Sequence, residues 1–174
     1  MKKFAVLAIA ILVAASSAFA ATSQTLVVNG TVAQFINVAA TNSPILVSLI
    51  GDGTAGSADR SASLNVQANK LAWTVTFNSA NLGLLNSSST GVKIPYFLQA
   101  TGSGVSGATM TNELSSPVQL TAVKKIQATA LGKTPKNGVD YTLAVTVSAQ
   151  AGTATLWEAA TDYTDTITID ITAP

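Results

Sequence analysis

Apolar residues recur at every second position in one segment of this chain after another, and a period of two restricts such segments to half-buried strands. The last segment shows it best. Tyr163, Ile167, Ile169 and Ile171 share one face, while Thr164, Thr166, Thr168, Asp170 and Thr172 take the other. Asp165 has the apolar parity, and its place near the strand start predicts a carboxylate reached by water. The same spacing runs through 141–147, through 61–68 (Ala62, Leu64, Val66, Ala68) and through 71–77 (Leu71, Trp73, Val75, Phe77). It also runs through 92–98 and 117–122, and a short apolar run follows Pro44. About seven or eight strands parted by turn-rich segments predict an all-β chain folded as a two-sheet antiparallel sandwich.

The chain opens with a different pattern. Lys2 and Lys3 precede an apolar run from Phe4 to Ala15, and Ala18-Phe19-Ala20 is a small-x-small cleavage signature. Residues 1–20 are therefore read as a secretory signal peptide, with an exported chain starting at Ala21. The leader's apolar run falls short of the roughly 20 residues a spanning helix needs. No later segment is apolar for that long, so no membrane span is expected in the mature chain. Lys2 and Lys3 leave with the leader, so 9 basic residues against 8 acidic become 7 against 8. That balance offers a phosphate backbone nothing to hold, and nucleic-acid binding is not expected. The chain has no cysteine, so the fold rests on packing and ladder hydrogen bonds. It has no histidine either, which removes the commonest acid–base group and metal ligand.

Between leader and sandwich lies residues 21–34, an extended arm, with the sandwich domain assigned to 35–174. Leu26, Val28, Gly30 and Val32 share one face of the arm, and Asn29 and Thr31 the other. The register breaks near Ala33-Gln34 and apolar residues resume at Ile36 and Val38. Such an arm has two destinations: a groove in its own domain, or the same groove in a neighbouring copy.

Further expectations concern particular residues. Trp73, aligned with apolar neighbours, is read as core. Residues 61–68 and 71–77 are close enough to form a hairpin, and a turn of helix is expected around Leu82–Leu85. Pro95 predicts an edge strand or a bulge, because proline cannot donate to a ladder. Residues 101–116 read as a long surface loop, Lys124-Lys125 as a solvated sheet edge, and Asn137-Gly138 as a turn. The pairs Asp52/Asp59 and Asp162/Asp165 read as solvated loop acids rather than calcium ligands. With no histidine, no zinc spacing and no phosphate-cradling loop, neither an enzyme nor a cofactor is expected.

The arm Thr25-Leu26-Val27-Val28-Asn29-Gly30-Thr31-Val32, the segment Leu84-Leu85-Asn86-Ser87-Ser88 running into Val92-Lys93-Ile94-Pro95, and the ending Asp162-Tyr163-Thr164-Asp165-Thr166-Ile167-Thr168-Ile169 carry a resemblance. The mature chain resembles the small secreted subunits of bacterial fimbriae. It is most similar to the cysteine-free colonization-factor type assembled by the alternate chaperone–usher route, and more loosely to the spore-coat-U-like secreted domains. The resemblance implies an immunoglobulin-like sandwich lacking one strand, completed by the arm of the next subunit. Leu26, Val28, Gly30 and Val32 would then be donor residues, and Ile167, Ile169 and Ile171 would line the acceptor groove. It further implies partners: copies of the same chain in a surface fibre, a periplasmic chaperone and an outer-membrane usher. The chain departs from many pilins in ending Thr172-Ala173-Pro174 without a nearby aromatic, which leaves the assembly route open. Two other functions stand beside the fibre subunit. One is a self-contained secreted sandwich with a coat or scaffold role; the other is a glycan-binding module using 101–116 with Tyr96 or Phe97.

Overall fold

The computed structural model describes residues 31–41, 43, 45, 47, 56–57, 61–148 and 157–174. The chain divides into two units, Met1–Ala33 and Gln34–Pro174. In the first, the described residues 31–33 form no strand and Val32 is 90% exposed.

The second unit is a two-sheet antiparallel β-sandwich, with no helix among the described residues. Its strands are β1 (Ile36–Thr41), β2 (Gly56–Ser57), β3 (Ala62–Ala68), β4 (Trp73–Ser79) and β5 (Leu84–Asn86). They continue with β6 (Lys93–Thr101), β7 (Thr109–Asn112), β8 (Lys124–Ala130), β9 (Val139–Val147) and β10 (Ile167–Thr172). One sheet runs β1-β3-β9-β6-β5, with β2 also paired to β9; the other runs β10-β4-β8-β7. Every ladder is antiparallel.

The period-two pattern decides what lies between the sheets. Leu64 and Val66 of β3, Leu98 and Ala100 of β6 and Tyr141 of β9 face Trp73, Val75, Phe77, Ile126 and Ala128 from the other sheet, all buried. Trp73 is core as expected, and its indole N–H donates to Gly132 O at 2.6 Å. The turn at Asn137-Gly138 also forms, with Gly138 at φ 79°.

Several expectations are corrected. The strands β3 and β4 are no hairpin, since β3 pairs with β1 and β9 while β4 pairs with β8 and β10. The link between them crosses from one sheet to the other. It is held by Thr134 N donating to Ala68 O at 2.9 Å and Gly132 N to Leu71 O at 2.8 Å. No helical turn forms at Leu82–Leu85: Leu82 and Gly83 take positive φ, and Leu84 begins β5. The stretch 101–116 is not simply surface loop, because it contains β7 and sends Val105 and Leu114 into the core. Lys124 and Lys125 open β8, which lies between β4 and β7 and is no sheet edge. Pro95 sits where a missing N–H costs little: it pairs with Leu84 of β5, and the β6–β9 ladder starts one residue later at Tyr96.

Candidate functional site: an open groove along the last strand

The strand β10 is the last of its sheet. It pairs with β4 through Ile167↔Ser79, Ile169↔Phe77 and Ile171↔Val75. Among the described residues no strand pairs with its other side. Along an antiparallel strand the backbone polar groups point alternately to either side, so about half of those on β10 face away from β4. Its isoleucines turn inward but stay only half-buried.

The reason is a half-open groove of about 490 Å³ beside them. Five of the six strands of the larger sheet line it in spatial order: Leu85 (β5), Tyr96 and Leu98 (β6), Leu143 and Val145 (β9), Ala62 (β3) and Ala40 (β1). Ile167 and Ile169 form one wall, and Ser43, Ile45 and Val47 also line the space. Four inter-strand spacings of about 4.8 Å put roughly 19 Å between β5 and β1, the length of about six extended residues. The groove is thus apolar, as long as one strand, and bordered by a strand edge.

One end of the groove is polar. The Asp165 carboxylate lies there and accepts hydrogen bonds from Ser79 Oγ and Tyr96 Oη, both at 2.6 Å, and from the N–H of Asn81 at 3.0 Å and of Thr166 at 2.7 Å. Ser79 Oγ in turn accepts from Gly83 N at 2.6 Å. Burial first, and then the hydrogen bond and charge of Asp165, push the Tyr96 phenol above its ordinary range. Three residues earlier, Asp162 accepts from Ser87 Oγ (2.7 Å), Ser88 Oγ (2.8 Å), Ser89 N (2.9 Å) and Ser89 Oγ (3.0 Å). These donors, Ser87 foremost, hold its carboxyl well below the usual carboxylate range. Between the two acids, Thr164 and Asn86 exchange backbone hydrogen bonds at 3.0 Å each.

Asp162 and Asp165 are more than solvated loop acids: both are only half-buried, so water still reaches them as the sequence predicted, and each also accepts hydrogen bonds that fasten the segment before β10. All of their donors but Thr166 lie about 70 to 85 residues away along the chain, which no local pattern reports. The second pair, Asp52 and Asp59, lies outside the described residues, and no group of acidic residues fit to hold a metal ion occurs among those described.

Of the expected donor residues, Leu26, Val28 and Gly30 lie outside the described residues, and Val32 is exposed. The expected acceptor residues Ile167, Ile169 and Ile171 all lie on the inner face of β10, and the first two line the groove. The glycan platform loses one ring, since Tyr96 is buried with its hydroxyl engaged by Asp165. Phe97 points the other way along β6 and is half-buried. A scan against protein-family models finds no match to this chain, and a search of curated proteins finds none either.

Proposed function

We propose that this chain is an exported structural subunit of a surface fibre, polymerising when residues 25–32 of one copy lie along β10 of the next. It works as a building block and not as an enzyme. One observation carries the reading: an apolar groove of strand length runs beside a strand edge with no partner among the described residues. A small molecule would leave the outward N–H and C=O groups of β10 unanswered. An inserted strand answers them and covers the isoleucines at once.

The arm has matching dimensions. From Leu26 to Val32 an extended chain covers about 20 Å, and Leu26, Val28, Gly30 and Val32 offer one apolar face. The likeness to fimbrial subunits supports the same reading and brings with it export through a periplasm, a chaperone and an usher.

The test is deletion of residues 21–32, together with Val28→Asp in the full chain, which would place a charge in the groove. High-mass species that survive in unboiled gels of the parent are expected to vanish in both. Polymers that persist in both variants would overturn the proposal. A parent that is monomeric, with its own arm protected from proteolysis, would give the self-contained coat or scaffold reading instead.

A further inference from the structure

We infer that Asp165 is a positioning residue that holds the groove in its receptive shape, by bracing the start of β10 against both sheets. The inference rests on the reading of the groove as a strand acceptor and adds a residue to it.

An apolar slot between two sheets tends to close, because its lining gains contact when the walls meet. Something must keep Ile167 and Ile169 away from Leu98 and Val145 while the slot is empty. Asp165 stands at the groove's polar end, one turn of the strand pleat before Ile167 on the same side of the chain. Its carboxylate joins Ser79, the last residue of β4 in one sheet, to Tyr96 of β6 in the other. The N–H groups of Asn81 and Thr166 complete its donors. Ala80 N donates to Thr166 O at 2.9 Å, and the Thr164–Asn86 bridge fixes the preceding residue to β5. The position of β10 is thereby set from both sheets at one point. Leaving these donors would cost the half-buried carboxylate four hydrogen bonds at once, which resists a slide of the walls past it.

The brace needs an ionised acceptor. An asparagine in its place can accept from the two backbone N–H groups, but its amide would donate toward Ser79 Oγ and Tyr96 Oη. Both hydroxyl protons would lose their acceptor, and Ser79 Oγ already accepts from Gly83 N. Asp162 supplies the comparison. It fastens the same segment through Ser87, Ser88 and Ser89 but does not line the groove. A change that merely loosens the segment should act at either aspartate, whereas loss of the brace should act at Asp165 alone.

The experiment measures capture of a fluorescently labelled synthetic peptide of residues 24–34 by a parent full chain carrying Val28→Asp, whose own arm is barred from the groove, and by its Asp165→Asn, Asp162→Asn and Tyr96→Phe variants. Cooperative unfolding is recorded for each. Expected is capture by the parent and by Asp162→Asn within about twofold of one another, with Asp165→Asn weaker by about tenfold or more and Tyr96→Phe in between. If Asp165→Asn fails to fold, Tyr96→Phe decides, since it removes one arm of the brace and leaves Asp165 three donors. Capture by the deciding variant equal to the parent's, or an equal loss in Asp162→Asn, overturns the role of Asp165 and leaves the acceptor reading standing. No capture by the parent overturns the acceptor reading itself, and the inference falls with it.

Discussion

Two tyrosines on neighbouring strands of the larger sheet test how much the polar end of the groove contributes. Tyr96 and Tyr141 are each 2% exposed, yet Tyr96 Oη donates to Asp165 at 2.6 Å while Tyr141 Oη has no hydrogen-bond partner among the described residues. Tyr96→Phe keeps the ring and removes a hydrogen bond to a charged acceptor, worth about 1.5–3 kcal/mol. Asp165 keeps Ser79, Asn81 and Thr166 as donors, so no orphaned charge is added. The loss should therefore sit near the lower end, about 1.5–2 kcal/mol, which is roughly 5–8 °C in Tm for a domain of this size. Tyr141→Phe removes a buried hydroxyl that has nothing to bond, so it should be neutral or stabilising by up to about 1 kcal/mol. Urea unfolding at pH 7 reads both. Alkaline titration adds a second check. Burial and Asp165 raise the folded-state phenol of Tyr96 above its unfolded value of about 10. A raised pKa means the folded chain holds its proton more tightly, so the stability is complete below about pH 10 and declines as the pH climbs beyond. Tyr141 is raised by burial alone and contributes to the same decline. Tyr96→Phe should make the alkaline decline shallower. The reasoning is refuted if Tyr96→Phe lies within about 0.5 kcal/mol of the parent, or if Tyr141→Phe costs as much.

Other outcomes follow from the same packing and hydrogen bonds. Gly132→Ala would drive a Cβ into Ala128 Cβ and set it 2.9 Å from Leu71 O, at the point where the β3–β4 link crosses. A loss of about 1–3 kcal/mol is expected by urea unfolding, and a neutral result would mean the link shifts freely. Trp73→Phe leaves the Gly132 carbonyl without its indole donor and should cost about 2–4 kcal/mol by the same measurement. Asp162 titrates the other way from the tyrosines. Its folded pKa lies below the unfolded value of about 3.9, so its contribution is present above that pH and fades as acid is added. Asp162→Ala should flatten the loss of stability between neutral and acid pH, and an unchanged acid limb would count against the serine clasp. Ile169→Asp would put a charge into the groove wall; the fibre proposal expects high-mass species to disappear from unboiled gels while the monomer remains.

For the strands it revealed, sequence alone determined which side is buried, Leu71 at the mouth of β4 excepted. The alternation at Leu64 and Val66, at Ile94 and Leu98, and at Tyr141 and Leu143 reappears as an inward face in every case. It does so because a strand's pleat ties the side of each side chain to its own backbone, a purely local relation. The Asn137-Gly138 turn was legible for the same reason: glycine takes the positive φ that the turn requires. Which strand lies beside which was not written locally. A hairpin and a crossing between sheets bury β3 and β4 equally well, so the period could not separate them, and only the pairing of β4 with β8 and β10 did. Lys124 and Lys125 misled in the same way, since their charge says nothing about how many neighbours β8 acquires. The groove itself lay beyond the sequence, because its lining is drawn from five strands of the larger sheet as well as from β10. So did the brace: Asp165 meets Ser79 and Tyr96 only after both sheets have formed, and a carboxylate's partners are decided by where the folded chain brings its donors.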